Sequence, residues 1–268
     1  MRNRDAWQPT KYVIRDGTLR GSRDPSELGI RSRLAGDCEA AVCWTAIREH
    51  ATGILADVGC GKVPLYGVYK DLVSEVICID WPDTLHDSPH LDIEADLNDG
   101  LPLPDASVDT ILATSVLEHL RKPDLFWSEA ARALRPGGKV ILTVPFFYWL
   151  HEEPHDYHRF TKYQFQAACR DHGFAVVTLL ETGGPLSIIL DIAGKNTPWL
   201  AAPYQSFACW LASTRLGKRI DERGANNFPL SYCVVAAKTP GHEHSETARS
   251  VAIVERTAAP CSRLNRPR

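Results

Sequence analysis

Apolar runs and segments of helical spacing alternate along most of the chain. Strand-like runs fall at 53–58 (GILADV), 75–80 (EVICID), 107–114 (SVDTILAT), 139–145 (KVILTVP) and 174–181 (FAVVTLLE). Between them lie PLYGVYKDLV (64–73), PDLFWSEAARAL (123–134) and TKYQFQAACRDHG (161–173). Strands apolar throughout and separated by helices predict parallel pairing, with helices on both faces of the sheet.

Asp37 is a candidate N-cap for a helix through DCEAAVCWTAIREHATG that stops at Gly53 and sets Ala41, Trp44, Ala46 and Ile47 near one face. RPGG at 135–138 ends another helix, and Thr161 with Gln164 makes a capping box. Residues 1–36 lack sustained periodicity and read as an irregular arm lying over the domain or ordering with substrate. The rhythm breaks again at 186–220, helical in composition and rich in aromatics, before a last strand at 228–238 (FPLSYCVVAAK). The tail from Thr239 is polar and is expected to be disordered. The expected architecture is an α/β Rossmann-like doubly wound sheet over 37–238, mostly parallel, with a helical insertion before the last strand.

The net charge of −3 carries no overall electrostatic footprint for nucleic acid, although Lys and Arg are dense before Arg33 and at the C-terminus. The eight cysteines are scattered singly, without a CxxC pair, as buried thiols in a reducing cytoplasm would be. No stretch reaches the length of a membrane span, and the first residues lack the apolar core of a signal peptide.

ILADVGCGK places Gly59 and Gly61, with Cys60 between them, after a strand and before a helix, where backbone can approach a ligand closely. A dinucleotide fingerprint would want a third glycine where Pro64 stands, which disfavours nicotinamide or flavin. Acids recur at later strand ends. Asp80 is suited to accept from both ribose hydroxyls, and Trp81 to cover adenine. Asp96 is suited to accept from the adenine amino group while the Leu97 amide meets a ring nitrogen. Each has a blander reading as a tight turn, a helix cap or packing.

DVGCGK, CIDW, ADLNDGLPLPDASVDTI, TSVLEHL and ALRPGGKVILTVP, in this order, resemble the class I S-adenosylmethionine-dependent methyltransferases of the methyltransferase type 11 group. The resemblance covers residues 53–182 and implies an antiparallel final strand at 228–238. It implies that Asp57 meets the methionine amino group, that Asp80 binds ribose and Asp96 adenine, and that Ser115 after the fourth strand touches the cofactor. Val63 departs from the pattern, standing where many members carry glycine. PTKYVIRDGTLRGSRDP and PFFYWLHEEPHDYHRFT further resemble a bacterial branch of methyltransferases, some associated with polysaccharide or secondary-metabolite genes.

The loop FFYWLHEEPHDYHRF leaves the carboxyl end of a central strand and should face the methyl donor. Methyl transfer from a sulfonium is an in-line displacement in which the protein aligns and desolvates, so no metal is expected. A hydroxyl acceptor must also lose a proton. His155 or His158 is suited to take it with Asp156 orienting the imidazole, while His119, His151, Tyr157 and Arg159 are candidates for acceptor contact. Two alternatives are a metal on His151, His155 and His158, against which Pro154 argues, and a structural loop pairing Arg159 with Asp156. The sequence therefore points to O-methylation of a small hydroxylated, sugar-like or secondary-metabolite acceptor. N-methylation and a catalytically silent cofactor-binding partner protein are the alternatives. For 186–220, packing on the sheet edge or over the site stands beside a homodimer interface and a peripheral membrane contact aided by Lys218, Arg219 and Arg223.

Overall fold

The computed structural model describes residues 1–82 and 88–240. Seven strands form the central sheet: β3 (Ile54–Val58), β4 (Glu75–Asp80), β5 (Ile93–Glu94), β6 (Val108–Thr114), β7 (Leu134–Pro145), β8 (Phe174–Thr182) and β9 (Ser231–Lys238). Their order is β5-β4-β3-β6-β7-β9-β8, and β9 runs antiparallel to both neighbours. The chain order reverses between β3 and β6. A crevice opens there at the carboxyl ends of the strands, which is where open α/β sheets bind ligands.

Side-chain alternation splits the core in two. Leu112, Ile141, Cys233 and Val235 point to the face covered by α1 (Arg33–His50), with Cys43, Ala46 and Ile47 against them. Ile111, Ala113, Val140, Leu142, Val234 and Ala236 point to the other face, under α3 (Pro123–Ala133) and α4 (Lys162–Asp171), which supply Phe126, Trp127, Phe165 and Ala168. A fully buried side chain of this size contributes roughly 1.5–3 kcal/mol. Both faces of β6 and β7 are therefore sealed, which explains their unbroken apolar runs.

Three local features differ from the sequence expectation. Residues within the predicted irregular arm form an antiparallel hairpin, β1 (Tyr12–Arg15) with β2 (Thr18–Gly21). Helix α1 begins at Arg33, so Asp37 is no N-cap; its carboxylate instead binds the Arg23 guanidinium at 2.6 Å and accepts from the Gly21 N–H. The 64–73 segment condenses to a single turn, α2 (Tyr66–Tyr69). At α4 the expected cap is present, Thr161 Oγ1 accepting from the Gln164 N–H.

The aromatic segment forms α5 (Pro185–Lys195), α6 (Ala201–Ser213) and α7 (Arg215–Gly224). They close on one another and on α1 through Leu34, Leu190 and Ala208. Asp221 caps α5, accepting from the Leu186 and Ser187 N–H groups at 2.9 and 3.1 Å. The Lys195 ammonium, paired with Asp191, sits 3.5 Å over the Tyr148 ring and ties the insertion to the start of the histidine loop. The outer face stays open: Trp199 and Trp210 are 76% and 61% exposed. The tail expected to be disordered lies, from residue 241, outside the described residues, and no described helix is long and apolar enough to cross a membrane.

Candidate cofactor and acceptor site

The crevice beside β3 is a cavity of about 780 Å³. Of the sequence-predicted residues, Asp57, Gly59, Cys60, Gly61, Asp80, Trp81, Asp96, Leu97, Ser115, His119, His155 and Tyr157 line it. The glycine turn hangs from the neighbouring strand, the Gly59 N–H donating to the Ile79 carbonyl at 2.8 Å. Gly59 has φ +70°, and a Cβ there would meet Val116 Cγ2 at 2.5 Å, so only glycine fits. Val63, the departure from the family pattern, takes a left-handed φ of +52° and is wholly buried. It adopts the backbone that a glycine would, and burial of its isopropyl group offsets the roughly 1–2 kcal/mol that this conformation costs.

The acids at the strand ends differ in their surroundings. Asp57 is 4% exposed, and burial pushes its carboxyl up to about 7, although the Tyr69 hydroxyl donates to Oδ2 at 2.6 Å and opposes the shift. Among the described residues no cation pairs with Asp57. Asp80 accepts from the Gly61 N–H at 2.7 Å and the Trp81 N–H at 2.8 Å, tying the turn to the end of β4. Asp96 accepts from the Asn98 backbone and side chain, both at 2.8 Å.

A network not read from sequence closes one side of the cavity. Glu39 of α1 accepts from Ser115 Oγ and Thr143 Oγ1, each at 2.9 Å, from Lys11 Nζ at 3.0 Å and from the Tyr12 hydroxyl. Burial alone would raise this carboxyl, but the Lys11 charge and the hydrogen bonds from Tyr12, Lys11 and Thr143 hold it at about 2. One side chain thus joins the N-terminal hairpin, α1 and the ends of β6 and β7. The available signal was positional: Glu39 falls one turn before Cys43 on the buried face of its helix.

The histidine loop divides between two sites. His155 faces the cavity, its ring edge-on to Trp81 at 5.1 Å between centroids and its Nδ1 3.0 Å from the Tyr157 hydroxyl. His158 and Asp156 line a different depression, with Phe147 and Trp149. Asp156 therefore does not orient either expected base. It receives the fork of Arg159 at 2.5 and 2.7 Å and the His151 N–H at 3.1 Å. That pairing corrects the acceptor-binding role expected of Arg159, whose two terminal nitrogens are engaged by Asp156 and by the His158 and Trp149 carbonyls. Burial would raise the Asp156 carboxyl, but Arg159 and the His151 N–H hold it at about 2. His151, expected near the acceptor, packs against His119 at 4.8 Å between ring centroids. The trio His151, His155 and His158 does not converge; among the described residues the metal-capable group is Glu118, His119 and His151.

Residues 56–142 match the model of a methyltransferase domain. A Mycolicibacterium smegmatis protein described as a "probable S-adenosylmethionine-dependent methyltransferase" is 35% identical over 94 residues, 33% of this chain and 37% of its own. A Mycobacterium tuberculosis protein of the same description is 32% identical over 138 residues, 48% of each chain. The chain thus spans less than half the length of these relatives. The structure of an S-adenosylmethionine-dependent methyltransferase from Mesorhizobium loti shares the fold, with a TM-score of 0.51 at 17% identity over 76% of this chain and all of that one. The donor set fits that cofactor: a buried carboxylate without a cation at Asp57, a ribose-suited acid at Asp80 and an adenine-suited acid at Asp96 line one cavity. The domain match over residues 56–142, the strand order and the cavity make this chain similar to S-adenosylmethionine-dependent methyltransferases.

Proposed function

We propose that the chain transfers a methyl group from S-adenosylmethionine to a hydroxyl of a small acceptor held beneath the 151–158 loop. The observation that carries this reading is His155, a titratable imidazole turned into the cavity that holds the cofactor-suited acids. When bound, the cofactor supplies an electrophilic methyl group on a sulfonium. Asp57 holds the methionine ammonium, Asp80 the ribose hydroxyls, and Asp96 with the Leu97 N–H the adenine edge. Gly59 and Gly61 let the backbone come close.

His155 works on the acceptor side. With its proton on Nδ1 donated to the Tyr157 oxygen, Nε2 keeps a lone pair able to accept the acceptor's hydroxyl proton. Trp81 and Tyr157 limit the rotation of the ring and exclude water on two sides. His158, outside the cavity, takes no part. The test follows S-adenosylhomocysteine production with panels of hydroxylated acceptors. Once turnover is found, His155→Ala should cut kcat by about 10²–10⁴ with cofactor affinity unchanged, while His158→Ala should leave kcat near wild type. Equal loss in both variants, or in neither, refutes the assignment of His155.

A further inference from the structure

Beneath the histidine loop, behind the part of the cavity wall formed by His119 and Glu152, lie groups that methyl transfer does not use. Glu118 lies in the 3-10 turn Leu117–His119 after β6, is fully buried, and neither carboxylate oxygen has a hydrogen-bond partner among the described residues. His119 Nε2 is likewise buried and without a hydrogen bond, 3.8 Å from Glu118 Oε1. His151 Nε2 lies 3.8 Å from the same oxygen, and Glu152 Oε2 is 3.8 Å from His119 Nε2. Burying a carboxylate without a donor costs several kcal/mol, so this arrangement calls for a partner.

The outer ring nitrogens show what kind. His119 Nδ1 is 2.8 Å from the His155 carbonyl oxygen, to which it can only donate. His151 Nδ1 lies 3.2 Å from Asp156 Oδ2 and 3.3 Å from the Trp149 carbonyl, both acceptors. A proton held on each Nδ1 leaves both Nε2 atoms as lone-pair acceptors aimed at a carboxylate that is itself an acceptor. Carbonyl and carboxylate partners behind an imidazole are the usual supports of a metal-bound histidine. A protonated His151 would meet Glu118 only at 3.8 Å, beyond hydrogen-bond reach, and would leave His119 Nε2 unserved. Arg159 is committed to Asp156.

We propose that Glu118, His119 and His151 bind a first-row divalent cation, with Glu152 within reach as a fourth ligand. Two imidazoles and a carboxylate suit zinc, iron, cobalt or manganese. The three ligand atoms lie within 4.8 Å of one another. A point roughly 2.5 Å from each exists between them, and inward movements of about 0.4 Å reach ordinary bond lengths of roughly 2.0–2.2 Å. Glu152 and His119 also line the cofactor cavity, so the ion's remaining positions face the acceptor side. An oxygen of the acceptor would complete them.

Metal binding is measured without turnover, which separates this inference from the methyl-transfer reading. The 268-residue chain is stripped with a chelator in a background carrying His242→Ala and His244→Ala, which removes another closely spaced histidine pair of the sequence. Co²⁺ is then titrated with visible absorption as the readout, and Zn²⁺ by calorimetry. The expected result is one equivalent of Co²⁺ giving visible bands, with affinity reduced at least about 10-fold by His119→Ala, His151→Ala or Glu118→Gln and unchanged by His158→Ala. Circular dichroism of the stripped proteins checks their folding. Thermal stabilisation of the parent chain by Zn²⁺ supplies a readout that needs no variant. Absence of saturable binding by the folded parent chain up to about 1 mM metal overturns the proposal, as does binding that survives all three ligand variants.

Discussion

Replacing Asp57 by asparagine should stabilise the cofactor-free chain while weakening its grip on S-adenosylmethionine. Burial pushes the Asp57 carboxyl up to about 7 in the fold, against an ordinary value of about 3.9 in the unfolded chain. Between those limits the folded state holds a proton that the unfolded state has released, so this group's contribution to stability falls as pH rises from 4 to 7 and stays low above. The ceiling on that loss is about 4 kcal/mol. Solvent in the adjoining cavity relieves part of it, leaving roughly 2 kcal/mol or about 4–8 °C in Tm at pH 8. Asparagine keeps an oxygen for the Tyr69 hydroxyl and removes the charge. The variant and the parent should therefore melt together near pH 4 and diverge in favour of the variant as pH rises. In calorimetric titrations at pH 8, losing the charge opposite the methionine ammonium should weaken cofactor binding about 10–100-fold, equivalent to roughly 1.5–3 kcal/mol. A pH-independent loss of stability in the variant, or unchanged cofactor affinity, would refute the reasoning.

The Gly59→Ala variant should lose cofactor binding and about 1–3 kcal/mol of stability, because a Cβ at φ +70° meets Val116; chemical denaturation and titration calorimetry check both effects, and a fully stable, fully binding variant contradicts the turn geometry. For Glu39→Gln, the Glu39 carboxyl at about 2 contributes stability above its ordinary pKa near 4.5, and that contribution is lost as pH falls through 2. The variant should be about 2–4 kcal/mol less stable at pH 7, with the gap closing towards pH 2; urea denaturation across that range measures it, and a constant gap argues against the charge.

Local chemistry made the proposed cofactor half of the site legible. A glycine turn on an apolar strand needs only short-range backbone geometry, and acids at strand ends are brought to one edge by any parallel sheet, so Asp57, Gly59, Asp80 and Asp96 were readable in order. The acceptor half was not. Asp156 was assigned by adjacency to the histidines beside it, yet the folded loop turns it towards Arg159 and His151, since the two oxygens of a buried carboxylate seek the best-matched fork available.

Fold class and the insertion's helical character follow from periodicity and composition, because burial on one face or two leaves a repeat of fixed length in the chain, whereas the antiparallel direction of the last strand was implied by the family resemblance. Tertiary structure alone decided which polar groups meet. Glu39 reaches Ser115 and Thr143 across 76 and 104 residues, and His119 meets His151 only when the loop after β7 folds back over the turn after β6. Such contacts leave no period in the sequence, since a buried polar side chain is placed by a single partner far along the chain. The glycine turn was therefore legible from its neighbours, whereas the histidine and carboxylate cluster beside it became visible only in three dimensions.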